Sequence, residues 1–256
     1  MNPLGLGPFT TVVLAAGQGK RMKSDLPKVL HSALGKPLLI HVLGQLAPLH
    51  PSYTVIVVGH KEELVKEALQ GKDVHFITQS PQLGTGHAVQ VAWPEIEKGA
   101  EKGGDTVLVL AGDMPLVRTM TLRKLIERHI TDRSGVTFLS GELDDPAGYG
   151  RVIRDRRGDF QKIVEEKDAT AAERKVAEVN SGVYCFRRDI LKDALASLRA
   201  ENEQKEYYLT DTLGLVKARG LRVGVVQAND PRELFGVNTP EQLAMVEQTL
   251  RSWGEG

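Results

Sequence analysis

The stretch "VVLAAGQGKRMKSDLPKVL", Val12 to Leu30, decides the architecture. An apolar, β-branched run leads straight into Gly17 and Gly19, and three cations follow, Lys20, Arg21 and Lys28. Two phosphate motifs fail against it. The dinucleotide fingerprint G-x-G-x-x-G needs a third glycine where Met22 stands, and the loop G-x-x-x-x-G-K-[ST] needs a hydroxyl where Arg21 follows Lys20. The physical logic survives both failures. Without Cβ atoms at 17 and 19, backbone N–H groups can approach a phosphate oxygen. Arg21 offers a fork of donors and Lys28 a point charge. A turn just past a buried strand is where open α/β sheets hold ligands. The plainer reading is a strand-to-loop turn with solvated cations.

Outward from this turn, short apolar runs alternate with helical patterns. Thr11–Ala16, Thr54–Val58, Val74–Thr78 and Thr106–Ala111 read as strands, nearly continuous in apolar residues, as strands buried on both faces should be. Pro37–Leu49, Glu62–Gln70, Gly86–Trp93 and Thr119–His129 read as the helices between them. That alternation predicts an α/β protein with a Rossmann-like, mostly parallel central sheet. From about Gly135 the rhythm changes: "VTFLSGEL", "GRVIRD", "FQKIVEE" and "VNSGVYCF" are strands with little helix between them, an added mixed or antiparallel portion. Helices return at Asp189–Arg199 and Leu209–Arg219, a strand follows at Arg222–Gln227, and Pro240–Arg251 is a final helix with Thr239 as its N-cap.

Composition removes several function classes. The 256 residues carry 33 Lys+Arg against 33 Asp+Glu, so the basic excess of a nucleic-acid binder is missing and any anion site is local. The single cysteine, Cys185, lies in an apolar run and reads as a buried, inert thiol. The seven histidines show no metal-ligand spacing. No apolar run approaches the ~20 residues of a membrane span, and the start "MNPLGLGPFT" lacks the parts of a signal peptide. The expectation is a cytoplasmic protein with no membrane and no nucleic-acid partner.

Three more constellations bear on the anion. In "QSPQLGTGHA", Gly84 and Gly86 open a helix, Thr85 offers a hydroxyl, and Gln79 and Gln82 can read a base edge. In "VLVLAGDMPLV", Gly112 and Asp113 stand at the carboxyl end of a buried strand, where a carboxylate suits Mg²⁺. A scatter of polar groups follows: Gly150, Glu165, Asn180, Tyr208, Thr210 and Asn238. Such groups could hold sugar hydroxyls, but pattern alone does not assemble them.

"LAAGQGKRM" with Lys28 in "DLPKVLH" resembles the signature of sugar-nucleotide pyrophosphorylases. Together with "QLGTGHA", "DDPAGYGRV", "IVEEKDAT", "VNSGVY", "EYYLTD" and "GVNTPEQL", it is similar to the uridyltransferase domain of the bacterial bifunctional N-acetylglucosamine-1-phosphate uridyltransferases, in order from about Thr11 to Arg251. The resemblance implies a Mg²⁺-dependent enzyme joining UTP and N-acetylglucosamine-1-phosphate. Leu14, Ala15, Ala16, Gly17, Gly19, Arg21, Lys28, Gln79, Gln82, Gly84 and Thr85 would hold the nucleotide. Gly112, Gly150, Glu165, Asn180, Tyr208, Thr210 and Asn238 would hold the sugar phosphate. Asp113 and Asn238 would ligate the metal, and Arg21, Lys28 and Asp113 would carry catalysis. The implied layout is one domain over 1–256: a tail at 1–10, a nucleotide-binding portion at 11–134, a sugar-phosphate portion at 135–238 and a C-terminal helix at 239–256. Where the family often has a tyrosine before the Gly-Asp step, this chain has Ala111. The family's hexapeptide-repeat acetyltransferase domain has no counterpart after "RSWGEG", so a monomer or weak homodimer without acetyltransferase activity is expected. Other sugar phosphates or nucleotides, and a non-catalytic nucleotide-sugar binder, remain alternatives.

Overall fold

The structure, a computed structural model, describes residues 5–254; the Lys20 side chain and the first and last residues of the chain lie outside the described residues. In chain order the elements are β1 (Phe9–Leu14), β2 (Ser32–Ala33), β3 (Lys36–Pro37), α1 (Leu38–Leu46), β4 (Tyr53–Val58), α2 (Glu62–Ala68), β5 (His75–Thr78), α3 (Thr85–Val91), α4 (Trp93–Ala100), β6 (Thr106–Ala111), α5 (Thr119–Thr131), β7 (Val136–Glu142), β8 (Arg151–Arg154), β9 (Phe160–Val164), β10 (Glu178–Arg187), α6 (Arg188–Ala196), α7 (Asp211–Ala218), β11 (Val223–Gln227) and α8 (Pro240–Ser252).

The main path through the large sheet is β11-β7-β10-β6-β1-β4-β5. Every neighbouring pair on it is parallel except those made by β10, which runs against both β6 and β7. The short β8–β9 hairpin hangs from β10 through the pairing of Arg151 with Val179. The expected mostly parallel sheet with a mixed addition is therefore present, and the addition is continuous with the parallel part through β10.

Alternation along each strand explains the unbroken apolar runs. Val12, Val55, Val57, Val107 and Val109 enter one core, with Val89 of α3, Ile96 of α4 and Leu191 of α6. Their neighbours Val13, Ile56, Val58, Leu108 and Leu110 enter the other, with Val42 of α1, Val65 of α2 and Leu125 of α5. Period-two side chains on a sheet covered on both faces leave no charged positions on β1, β4 and β6. A third cluster seats α8: Val246 and Leu250 pack on Met22, Ala33, Leu38, Leu116 and Val237. Cys185 belongs to the core, and burial pushes its thiol pKa up, as an inert group requires.

Several boundaries differ from those read in the sequence. β1 starts at Phe9, not Thr11, because Phe9 pairs with Thr106 and is fully buried, so residues 9 and 10 belong to the sheet rather than to a tail. β1 also ends at Leu14. The Ala15 N–H makes one more bond, to the Val57 carbonyl at 2.8 Å, before the chain turns away at Ala16. α1 stops at Leu46, where Pro48 cannot continue the ladder, and a single tight turn of 3-10 helix follows. The helix expected to end at Trp93 instead ends at Val91, and a separate helix, α4, begins at Trp93 with Pro94 in its first turn. The Thr239 cap is as expected: its hydroxyl accepts from the Gln242 N–H at 3.3 Å, and Pro240 begins α8.

Candidate active site

The sheet's register places the ends of four strands level. Leu14 pairs with Val57 on one side and Ala111 on the other, while Val58 pairs with Thr78. The chain leaves β1 toward β4 and later crosses back to put β6 on the other side of β1, a topological switch point. A cleft of about 890 Å³ opens there, as expected of an open α/β sheet. Of the residues expected to hold a nucleotide, Leu14, Ala15, Ala16, Gly17, Gly19, Lys28, Gln79, Gln82, Gly84 and Thr85 line it; Arg21 does not.

The two loop glycines differ. Gly19 has φ +64°, and a Cβ there would stand 2.7 Å from the Cβ of Lys28, so only glycine fits against this lysine. A Cβ at Gly17 would meet nothing, and this is the open side of the loop. Farther along, a Cβ at Gly84 (φ +104°) would strike the Tyr207 carbonyl at 2.7 Å. The Gly86 N–H donates to that carbonyl at 2.7 Å, the Tyr207 N–H to the Leu83 carbonyl at 2.8 Å, and the Leu209 N–H to the Thr85 hydroxyl at 3.1 Å. The "QLGTGHA" segment is thus laced to the segment before α7. Gln79 donates to the Gly84 carbonyl at 3.0 Å, and Gln82 to the Ala16 carbonyl at 2.6 Å, tying this wall to the glycine loop.

Lys28 is the centre of the cationic end. Its ammonium forms an ion pair with the Asp113 carboxylate and donates to the Asn238 side-chain carbonyl at 3.0 Å. Arg21, exposed, donates to the same Asn238 oxygen at 3.0 Å. The Val237 N–H donates to the Asp113 carbonyl at 2.9 Å, bringing the loop before α8 against the end of β6. Asp113 and Asn238 are 125 residues apart in sequence, yet their oxygens converge on one cation. Gly112 is a packing glycine: its N–H donates to the Leu14 carbonyl at 2.9 Å, and a Cβ would meet Leu39 at 3.0 Å. Among the described residues no cluster of three or more His, Cys, Asp or Glu side chains could hold a metal, so a metal here would rest on one carboxylate and one amide.

A second group forms where β8, β9 and β10 meet. The Asn180 N–H donates to the Gly150 carbonyl at 2.9 Å, and a Cβ at Gly150 would stand 3.3 Å from a Glu165 carboxylate oxygen. Thr210 donates to the other Glu165 oxygen at 2.9 Å. A bulge in β10 between Asn180 and Tyr184, with Gly182 at φ +83°, lets the Asn180 amide donate to the Tyr184 hydroxyl at 2.6 Å. Burial raises the Glu165 pKa, opposed by the Thr210 hydrogen bond. Burial also pushes Tyr208 up to about 12, with the Glu165 charge contributing. Gly150, Glu165, Asn180, Tyr208 and Thr210 therefore come together, while Asn238 and Gly112 stand with Asp113. Tyr149 links the two groups: burial raises its phenol pKa, and the Asp113 charge adds to the rise.

Gly59, His60, Glu62, Thr78 and Glu206 also line the cleft and were missed in the sequence. Gly59 had a signal, since "VIVVGH" repeats the strand-then-glycine pattern of the first turn. A Cβ there would meet the Gln82 amide at 2.6 Å. Glu62 had none: its carboxylate is held by Lys66 at 2.8 Å and by the Thr78 hydroxyl, and these bonds lower its pKa.

The family described as MobA-like NTP transferase domain matches residues 11–208. The chain belongs to this family. Among MobA-like relatives, the bifunctional protein GlmU of Syntrophomonas wolfei is 42% identical over 243 residues, covering 95% of this chain and 53% of that protein. The GlmU of Alkaliphilus oremlandii is 46% identical over 240 residues, covering 94% of this chain and 51% of that protein. The chain thus spans about half the length of the curated relatives it matches. A solved structure from Bacillus anthracis, described as a putative glucose-1-phosphate thymidylyltransferase, superposes with a TM-score of 0.75 at 18% identity, covering 95% of each chain, and so shares the fold. HddC of Yersinia pseudotuberculosis superposes at 0.68 with 21% identity, covering 94% of this chain and 99% of that one. Among the described residues of this MobA-like chain, no helix is long and apolar enough to cross a membrane.

Proposed function

We propose that this chain joins UTP to N-acetylglucosamine-1-phosphate, giving UDP-N-acetylglucosamine and pyrophosphate. The observation that carries the reading is the meeting of Lys28, Asp113 and Asn238 beneath a glycine loop at the carboxyl ends of β1 and β6. The similarity to GlmU proteins and the motif resemblance supply the substrate class.

On this reading the triphosphate lies over the open side of Gly17, with Lys28 and Arg21 offsetting its charge, and Gln79 and Gln82 stand at the base end. The pocket of Gly150, Glu165, Asn180 and Thr210 takes the hydroxyls and amide of the sugar. A sugar-phosphate oxygen forms a bond to the α-phosphorus, and the bond from that phosphorus to the bridging oxygen breaks, pyrophosphate leaving with the electron pair. Both reactants are anions, so alignment and charge compensation do the catalytic work, and no enzyme nucleophile takes part. Asp113 and Asn238 fit Mg²⁺, since their oxygens already converge on a cation and the ion accepts few protein ligands beside phosphates. Mg²⁺, when bound, supplies charge stabilisation on phosphate oxygens.

The test is pyrophosphate release from UTP with a panel of sugar 1-phosphates, read beside the same panel with other nucleoside triphosphates. N-acetylglucosamine-1-phosphate with UTP should turn over well above glucose-1-phosphate, because a site whose buried polar groups expect an amide rejects analogues lacking it. Equal turnover of the two sugars leaves only the broader class, and no release with any pair defeats the reading.

A further inference from the structure

Arg151 is among the largest side chains fully enclosed by this protein, at 2% exposure. Its guanidinium donates to the Tyr149 carbonyl, to the Glu166 carboxylate at 2.8 Å and to the Arg174 carbonyl at 3.4 Å, while its buried Nε has no partner. The same Glu166 oxygen accepts the Gly148 N–H at 3.1 Å. One ion pair thus pins Gly148 and Tyr149, in the turn before β8, to Glu166 just past β9 and Arg174 beyond it.

Both members sit next in sequence to the sugar-pocket residues. Arg151 follows Gly150, and Glu166 follows Glu165. Arg151 pairs with Val164 across β8 and β9, so the two pairs stand opposite each other. β9 ends at Val164, and Glu165 and Glu166 send their carboxylates to different partners. Glu165 reaches Thr210 and the face of Gly150, while Glu166 reaches Arg151. An ion pair between an enclosed arginine and a half-buried carboxylate is a weak source of stability, and here one guanidinium nitrogen is left unsatisfied. What the pair supplies is a fixed distance between the two chain segments that carry Gly150 and Glu165.

We propose that Arg151 and Glu166 are a positioning pair that sets the geometry of the sugar-phosphate pocket, an inference that rests on the function proposed above. Neither residue touches the sugar; both act through their sequence neighbours.

The experiment compares steady-state kinetics and melting of wild type, Glu166→Gln, and the double variant Arg151→Gln with Glu166→Gln. The double variant leaves no buried charge unpaired, so it keeps its fold where the single one loses stability. Misplacing Glu165 by a fraction of its reach should raise KM for N-acetylglucosamine-1-phosphate roughly ten- to a hundredfold in both variants, with KM for UTP unchanged. A double variant with wild-type KM for the sugar phosphate overturns the inference, as does a parallel loss for both substrates in step with melting temperature. A wild type inactive with N-acetylglucosamine-1-phosphate overturns the functional reading and this inference with it; an active wild type with insensitive variants overturns the inference alone.

Discussion

The ammonium of Lys28 donates to the side-chain carbonyl of Asn238 at 3.0 Å, across 210 residues of sequence. That bond ties the segment that packs on Gly19 to the residue before the Thr239 cap of α8, and the Asp113 carboxylate completes the contact from the end of β6. Among the described residues, Lys28 contacts both oxygens best placed to hold a metal, and Arg21 contacts one of them.

Lys28→Ala should therefore reduce kcat/KM for UTP by roughly ten- to a hundredfold, the worth of a charge-assisted bond to phosphate at roughly 1.5–3 kcal/mol. Its removal also leaves Asp113 without its cation, so the melting temperature should fall modestly and recover on adding Mg²⁺. Kinetics equal to wild type in the purified variant would take Lys28 out of the site.

Asp113→Asn keeps the shape and removes the anionic oxygen. Turnover should fall by roughly a hundredfold or more, since the lost charge stabilisation amounts to several kcal/mol, and the residual activity should need more Mg²⁺. Activity measured against Mg²⁺ concentration for the two proteins checks this. Metal-independent wild-type turnover, or superimposable titrations, would remove the metal from the account.

Glu165 gives a pH signature. Its folded pKa is raised by burial, so the folded state holds its proton more tightly than the unfolded chain. The cost of ionising it is absent below the unfolded carboxylate range and complete above the raised folded pKa. Glu165→Gln should therefore raise the melting temperature at neutral pH and leave it unchanged near pH 4, while KM for the sugar phosphate rises. An identical shift at both pH values would show that charge is not the cause.

His129 gives the opposite slope. It is buried on α5 beside the Thr137 hydroxyl at 3.1 Å, and burial brings its pKa down to about 4. The unfolded chain takes up a proton that the folded one refuses between about pH 6.5 and 4, so stability falls as pH drops through that window. His129→Gln, which can still reach Thr137, should flatten the melting temperature across the same interval.

Local pattern and long-range assembly were unequally legible. β1, β4 and β6 announced themselves because both faces are covered and no charged residue interrupts them. Gly17, Gly19 and Lys28 were readable as a unit because the loop is contiguous. Glu165, Asn180 and Thr210 were not, since only the β10 bulge and the hairpin bring them together. Nothing local in the sequence reveals that the fold closes over Arg151. α4 was not read in the sequence, where the helix was expected to stop at Trp93; Pro94 looks like a stop but stands in the first turn of a new helix. Arg21 was grouped with the nucleotide residues, yet it is not among the cleft-lining residues; its guanidinium donates to the Asn238 oxygen that Lys28 also contacts.

The central claim is that a sugar phosphate attacks the α-phosphorus of UTP in this cleft. Parallel reactions with UTP labelled at the α- or at the γ-phosphate, each with N-acetylglucosamine-1-phosphate, test it most directly. The account predicts that the α label appears in UDP-N-acetylglucosamine and the γ label only in pyrophosphate. Label from the γ position in the sugar product, or no labelled nucleotide sugar at all, would contradict it.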